Sequence, residues 1–258
     1  MAADKPNFFQ FGEIYDGSDA KCGSYTGTKS TANYKMESVL DYPLYYQINS
    51  VFASASGNTG QLESRYNNLN TTNYDASSLM SLVTFLDNHD EGRFFGKVGK
   101  DLDRFKLGLG MLYTLRGIPS IYYGTELLYS ALDDHGAMRQ DFAGGWPGDK
   151  TSGFTGQGLT VDQREAQAYV RQLGALRLAN PLIGTGNFMQ FTPDMGSFAY
   201  AWYSDSEVIL VLANGDDRVH RWPTERVADL GISPYTTFTD LIQGGTVTAG
   251  AELLFPAK

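Results

Sequence analysis

Short apolar runs that stop abruptly at carboxylates set the pattern of the first two-thirds of the chain. "NFFQFGEIYDG", "ESVLDYP", "SLVTFLDNHD" and "IPSIYYGTE" each read as a strand ending in acid: Glu13, Asp41, Asp87 with Asp90, and Glu126. Helical patterns lie between them. Leu102, Phe105, Leu109 and Leu112 share one face after Asp101 as N-cap, and Gly117 and Pro119 are the stop signals. Asp162 with Glu165 has the form of a capping box, and Ala166, Tyr169, Val170, Leu173 and Leu176 continue as one stripe to Asn180 and Pro181. Leu44, Ile48, Val51 and Phe52 mark a further helix after Pro43.

Beyond Pro181 the period shortens. "GNFMQFTP", "SFAYAWYSD", "EVILVLANGDD" and "TVTAGAELLFP" read as strands separated by turn signals. The change predicts a boundary near residues 180–186, with an α/β region over 1–182 and a small β-sandwich over 183–258. Strand-helix alternation upstream predicts a parallel sheet, doubly wound or closed into a barrel. A nucleotide-binding sheet needs a glycine-rich phosphate loop after its first strand, and "GEIYDGSDAKCGSYTG" lacks that spacing. Polar groups at successive strand ends favour a (β/α) TIM-type barrel, whose active site is built from those ends. A full barrel takes about 250 residues, so four strand-helix units before residue 182 predict a partial barrel.

Composition narrows the function. A net charge of -9 with no Lys/Arg run argues against a nucleic-acid phosphate backbone as partner. No stretch approaches the roughly 20 apolar residues of a membrane span, and "MAADKPNFFQ" lacks the layout of a secretory signal. The single Cys22 excludes an internal disulfide and leaves the compartment open. "ALDDHG" groups Asp133, Asp134 and His135 without the alternating oxygen ligands of a calcium loop, and reads as a solvated acidic turn. Aromatics at 13% beside carboxylates suit stacking and hydrogen bonding to a neutral sugar polymer. Cleavage of a glycosidic bond needs one carboxyl as acid and one ionised carboxylate across the bond.

"FGEIYDG", "VLDYPLYYQI", "FLDNHDEGRF" and "RGIPSIYYGTE", in this order, resemble the α-amylase family of retaining glycoside hydrolases, family 13. The later "DHGAMRQDFAGGWPGDKTSGFTGQGLT" is similar to the loop after the last barrel strand in the neopullulanase and cyclomaltodextrinase branch. The resemblance covers nearly the whole chain and implies the fifth to eighth barrel strands followed by the family's C-terminal β-sandwich. It implies Glu13 as general acid/base, Asp90 as the carboxylate that orients the sugar, and His89 as donor to sugar hydroxyls. Phe11, Ile14 and Tyr15 flank Glu13 as a partly apolar setting, with Tyr15 and Arg93 counted among the substrate contacts. Arg93 is also the expected counter-charge for Asp90 or Glu91. Asp87 and Asn88 are read as structural strand-end groups, and Asp41 and Glu126 as packing or rim groups. The implied substrates are starch, maltooligosaccharides or cyclodextrins. The resemblance brings no cofactor that these residues support; family calcium sites find no match in them. Localisation stays open: the resemblance is compatible with an extracellular or periplasmic parent enzyme, and the start of the chain lacks the layout of a signal peptide.

One departure is chemical. The family's nucleophile is the Asp of a Gly-x-Arg-x-Asp motif, which does not occur here; the sole Arg-x-Asp, Arg139 to Asp141, lies in the glycine-rich loop. A half-barrel also exposes two sheet edges, which predicts either a two-fold homodimer or a complementary barrel half as partner. Two functional classes follow, an α-glucan hydrolase and a self-associating α-glucan-binding fragment.

Overall fold

A computed structural model describes residues 8–29, 36–53, 57–64, 72–75 and 77–257. The opening residues on which the reading of the chain's start depends lie outside that set. Four strands of two residues each, β1 (Phe11–Gly12), β2 (Ser38–Val39), β3 (Val83–Thr84) and β4 (Ile118–Pro119), occupy the four acid-terminated runs. β1 pairs with β2 and β3 with β4, both parallel. A parallel bridge between Leu40 and Val83 joins the two pairs, so the strands lie side by side in chain order. Asp41 N–H donates to the Val83 carbonyl at 2.8 Å and Ser38 Oγ to the Ser81 carbonyl at 2.6 Å, fixing β2 against β3.

The expected helices form behind the strands. Tyr42–Ala53 buries Leu44, Ile48, Val51 and Phe52. Leu102–Thr114 starts where Asp101 Oδ1 accepts from the N–H groups of Asp103 and Arg104, and buries Phe105, Leu109 and Leu112. It stops short of Gly117, where φ is +97° and a Cβ would lie 2.6 Å from the Leu82 carbonyl. The long helix Val161–Ala179 begins two residues earlier than the Asp162/Glu165 pattern implies. Its capping box is Thr160 with Gln163, and both reciprocal hydrogen bonds are made. Two overlapping sequences satisfy the same box rule, and the hydroxyl cap is the one used. Arg177 near its end donates to the carbonyls of Tyr113, Leu115 and Gly117, tying it to the segment that enters β4.

After Pro181 every strand pairing is antiparallel. β5 (Asn187–Gln190), β6 (Phe198–Tyr203) and β7 (Val208–Ala213) form one sheet in that order. β8 (His220–Pro223) pairs with β11 (Glu252–Phe255), and β9 (Thr237–Thr239) with β10 (Thr246–Thr248). The hydrophobic pattern does not mark β8 or β9; β8 is four residues long with His220 and Trp222 buried between exposed Arg221 and Pro223, and β9 is three residues long and mostly exposed. "TVTAGAELLFP" splits into two strands because its partner changes: Ala249 N–H still donates to the Thr236 carbonyl beside β9, whereas the Gly250 and Ala251 carbonyls accept from Thr224 and lead β11 onto β8. Phe191, Trp222, Val227, Leu253 and Phe255 form the core of this β region.

The β region is welded to the helices. Phe198, Tyr200 and Ala213 belong to the same buried cluster as Phe105, Leu109 and Leu112. Trp202 Nε1 donates to the Thr114 carbonyl at 2.6 Å, and the hydroxyls of Tyr200 and Thr114 lie 2.6 Å apart. On the other side the strands are open. Among the described residues β1 and β4 each pair along one edge only, and their residues Phe11 and Ile118 are 50% and 41% exposed.

Candidate active site

The carboxyl ends of β1 and β3 are linked through one tyrosine. Tyr42 opens its helix directly after Asp41, and its hydroxyl donates to Glu13 Oε1 at 2.9 Å. Asn88 Nδ2 donates to the same hydroxyl at 3.0 Å, which orients the Tyr42 proton toward Glu13. Asn88 Oδ1 accepts from the N–H groups of Asp90 and Glu91 at 2.9 Å each, folding the loop that presents them. Glu13 and the Asp90 loop are therefore positioned by the same two side chains. Burial raises the Tyr42 hydroxyl pKa, with the hydrogen bond to Glu13 adding to it, so the proton stays on the phenol.

Glu91 is the centre of a second cluster. Tyr15 donates to its Oε1 at 2.7 Å, the Tyr45 hydroxyl bonds its Oε2, and Lys97 Nζ lies 3.3 Å from that oxygen. Tyr45 stacks on Phe85 with ring centroids 4.9 Å apart. The hydrogen bond to Glu91 and burial push the Tyr15 hydroxyl pKa up. Burial pushes the Lys97 ammonium pKa down, opposed by Glu91.

Asp90 and His89 face outward. His89 Nε2 is 3.2 Å from Asp90 Oδ2, and Arg139 Nη2 donates to Asp90 Oδ1 at 2.7 Å. Arg139 Nε also donates to the His89 carbonyl at 2.8 Å. Both side chains remain accessible, at 52% for His89 and 36% for Asp90. Glu13 is exposed as well, and its neighbours Phe11 and Tyr15 are half-exposed rather than packed around it, because β1 lies at the open edge.

Arg93 is not placed as its sequence position implies. It is completely buried, donating from Nε to the Met138 carbonyl at 2.9 Å and from Nη1 to the Tyr123 carbonyl at 2.7 Å. Its guanidinium stacks 4.1 Å from the Tyr122 ring and lies 4.0 Å from Asp87 Oδ2. A ligand in the cleft does not reach it, and the cations on Asp90 and Glu91 are Arg139 and Lys97 instead. Asp87 is buried too, accepting from Phe94 N–H and Thr125 Oγ1. Burial raises its carboxyl pKa against the pull of these donors and of Arg93. Burial also raises the Glu126 carboxyl pKa, and Asp41 caps its helix by accepting from Leu44 N–H at 3.0 Å. The acidic turn after Leu132 uses Asp134 as the N-cap of a short helix, His135–Met138. Among the described residues no group of three or more His, Cys, Asp and Glu is placed to hold a metal ion, and no described helix is long and apolar enough to cross a membrane.

Comparison with known proteins agrees with this layout of strands. The family model described as the α-amylase catalytic domain matches residues 1–171, and that of the cyclomaltodextrinase C-terminal domain matches residues 188–258. The chain belongs to the α-amylase family. An α-amylase of Niallia circulans is 28% identical over 251 residues, 95% of this chain and 42% of that protein. A cyclomaltodextrin glucanotransferase of Bacillus licheniformis is 30% identical over 243 residues, 94% of this chain and 30% of that protein. Among solved structures, the α-amylase of Geobacillus thermoleovorans complexed with acarbose superposes with a TM-score of 0.76 at 21% identity, over 99% of this chain and 53% of that one. A cyclomaltodextrinase superposes with a TM-score of 0.64 at 21% identity, over 86% of this chain and 34% of its own length. This family member thus spans about half, or less, of each of these relatives.

Proposed function

We propose that the chain carries the acid/base side of an α-glucan hydrolase that cleaves α-1,4-glucosidic bonds in starch, maltooligosaccharides or cyclodextrins. The observation behind this reading is the shared support of Glu13 and the Asp90 loop by Tyr42 and Asn88. In this scheme Glu13 protonates the leaving oxygen, and Asp90 holds the ring as positive charge develops on it. His89 donates to a hydroxyl beside the scissile bond, and Tyr15, whose proton is held by Glu91, contacts the sugar through its exposed ring. Strands β1 to β4 act as the last four strand-helix units of a barrel, residues 1–182, with residues 183–258 as a β-sandwich domain.

The lone-edged strands carry the second part of the proposal. Exposed Phe11 and Ile118 are covered by a second copy of the chain or by a complementary half-barrel, which also brings the carboxylate that faces Glu13. Light scattering of the purified chain is expected to give a mass near twice 28.4 kDa. A monomer at micromolar concentration removes the homodimer and leaves the complementary half.

The missing Gly-x-Arg-x-Asp motif favours a second reading, in which the chain binds α-glucan without turning it over. Incubation with soluble starch separates the two. New reducing ends are the expected result for the hydrolase, and starch retention in affinity electrophoresis without new ends is the result for the binder. Neither signal overturns both.

A further inference from the structure

Lys97 stands in the candidate active site without a part in the proposed reaction. It closes the short helix Phe94–Lys97, and its stem crosses Gly92, where an added Cβ would lie 3.2 Å from Lys97 Cε and 2.8 Å from the Leu132 carbonyl. The bare glycine leaves room for the lysine to fold back onto Glu91. Its amine ends 3.3 Å from Glu91 Oε2, bonded to the Tyr45 hydroxyl and 4.5 Å from the centroid of the Tyr45 ring. The side chain keeps 20% of its surface exposed, so it is sheltered without being sealed.

A lysine that condenses with an aldehyde needs a free amine at neutral pH, a group beside it that moves protons, and a route for the aldehyde. Burial lowers the Lys97 pKa against the opposing charges of Glu91 and Asp87, which enlarges the share of free amine. Glu91 is the proton carrier in contact with it. Tyr15, bonded to the other oxygen of Glu91, is 58% exposed, so the cluster opens to solvent at that edge. Lys100, three positions on, is exposed and lacks this shelter.

We infer that Lys97 is a covalent modification site for reducing sugars in their open-chain form, with Glu91 as its proton-transfer partner. The nitrogen lone pair adds to the C1 aldehyde, and the two amine hydrogens leave with the aldehyde oxygen as water, carried across by Glu91. An imine results. Glu91 then takes the C2 proton of the protonated imine, the C2 electron pair forms a C1–C2 double bond, and the C=N pair closes onto nitrogen. Return of a proton to C1, with loss of the C2 hydroxyl proton, leaves a stable 1-amino-1-deoxyketose. C1 is reduced as C2 is oxidised within the sugar, so no outside oxidant or reductant enters. Under the hydrolase reading each cleavage releases such a reducing end in the same cleft, but the chemistry needs only an added aldose.

The test incubates the wild-type chain with maltose near neutral pH. Cyanoborohydride traps the imine in one sample, a second without reductant reports the ketose, and peptide mass mapping locates both. Lys97 is expected to be labelled about fivefold or more faster than Lys100 in each, and trehalose, a disaccharide with no reducing end, to label neither. Glu91→Gln is expected to keep the trapped imine at Lys97 and to cut the ketose about tenfold or more. Labelling of Lys97 no faster than that of Lys100 in the wild type overturns the site, whatever the variant does. Equal ketose in wild type and Glu91→Gln overturns the part given to Glu91. None of these readouts requires starch to be cleaved, so a failure here leaves the hydrolase reading to its own reducing-end assay.

Discussion

Glu13→Gln is expected to cut reducing-sugar release from starch by about 10²–10⁴-fold, the usual worth of a positioned general acid. Tyr42 donates to Oε1 of Glu13, so that oxygen is an acceptor and the transferable proton belongs on Oε2. Glutamine retains an oxygen that can accept from Tyr42 but offers no acidic proton to the leaving group. The substitution is expected to leave the fold intact because Glu13 is exposed and, among the described residues, forms no ion pair. The check is initial rate on soluble starch together with the thermal midpoint. A rate within a few-fold of wild type at an unchanged midpoint removes Glu13 from the acid role.

The second large effect is on stability. Arg93→Ala should destabilise the chain by about 3–5 kcal/mol, the cost of breaking a buried charge pair by removing one partner. Arg93 is completely buried, and it satisfies the Met138 and Tyr123 carbonyls while facing Asp87. Without it, Asp87 keeps its hydrogen bonds from Phe94 and Thr125 but loses the only cation within ion-pair distance among the described residues. The pH dependence has a definite sign. Burial already raises the Asp87 carboxyl pKa above its unfolded value. A raised carboxyl contributes stability below the unfolded pKa and loses it as pH rises through the folded one. Loss of Arg93 moves the folded pKa higher still. The deficit of the variant should therefore be larger near pH 8 than near pH 4, the ordinary aspartate range. Urea unfolding of both proteins at the two pH values measures it. A deficit independent of pH sinks the Asp87 coupling, and one below about 1 kcal/mol sinks the buried pair as a source of stability.

Local signals in the sequence are accurate where the rules are local. Asp101 and its stripe of leucines specify a helix because capping and a 3.6-residue period act within a dozen residues. The acid after the apolar run marks the strand end at Glu13 and, within two or three residues, at Asp41 and Asp87, but not at Glu126, which lies on a short helical turn seven residues past the end of β4; each strand shrinks to a pair of residues. Side-chain partners across the sheet are not legible in this way. Tyr42 looks like one more aromatic at the head of a helix, yet it bridges Glu13 and Asn88, which lie 29 and 46 positions away. Arg139 sits in a glycine-rich loop and reaches Asp90, 49 positions back. Arg93, itself read from the sequence as a substrate contact, turns inward, where the Tyr123 and Met138 carbonyls accept from it and the Tyr122 ring stacks on it. Periodicity carries no trace of any of these choices. One signal was available for Glu91: it is the fifth polar side chain in a row from Asp87, more than a strand end needs.

The bond from Trp202 to the Thr114 carbonyl has a consequence for how the molecule comes apart. It fills an orphan acceptor at the end of the Leu102–Thr114 helix from a strand nearly ninety positions later, and Tyr200 secures the Thr114 hydroxyl beside it. Removing the β region would leave the Thr114 carbonyl without its Trp202 donor and uncover the face of Phe105 and Leu109 that packs on Phe198 and Tyr200. The two parts should therefore melt as one cooperative unit, and a protease cut between them would yield two unfolded pieces rather than two surviving modules.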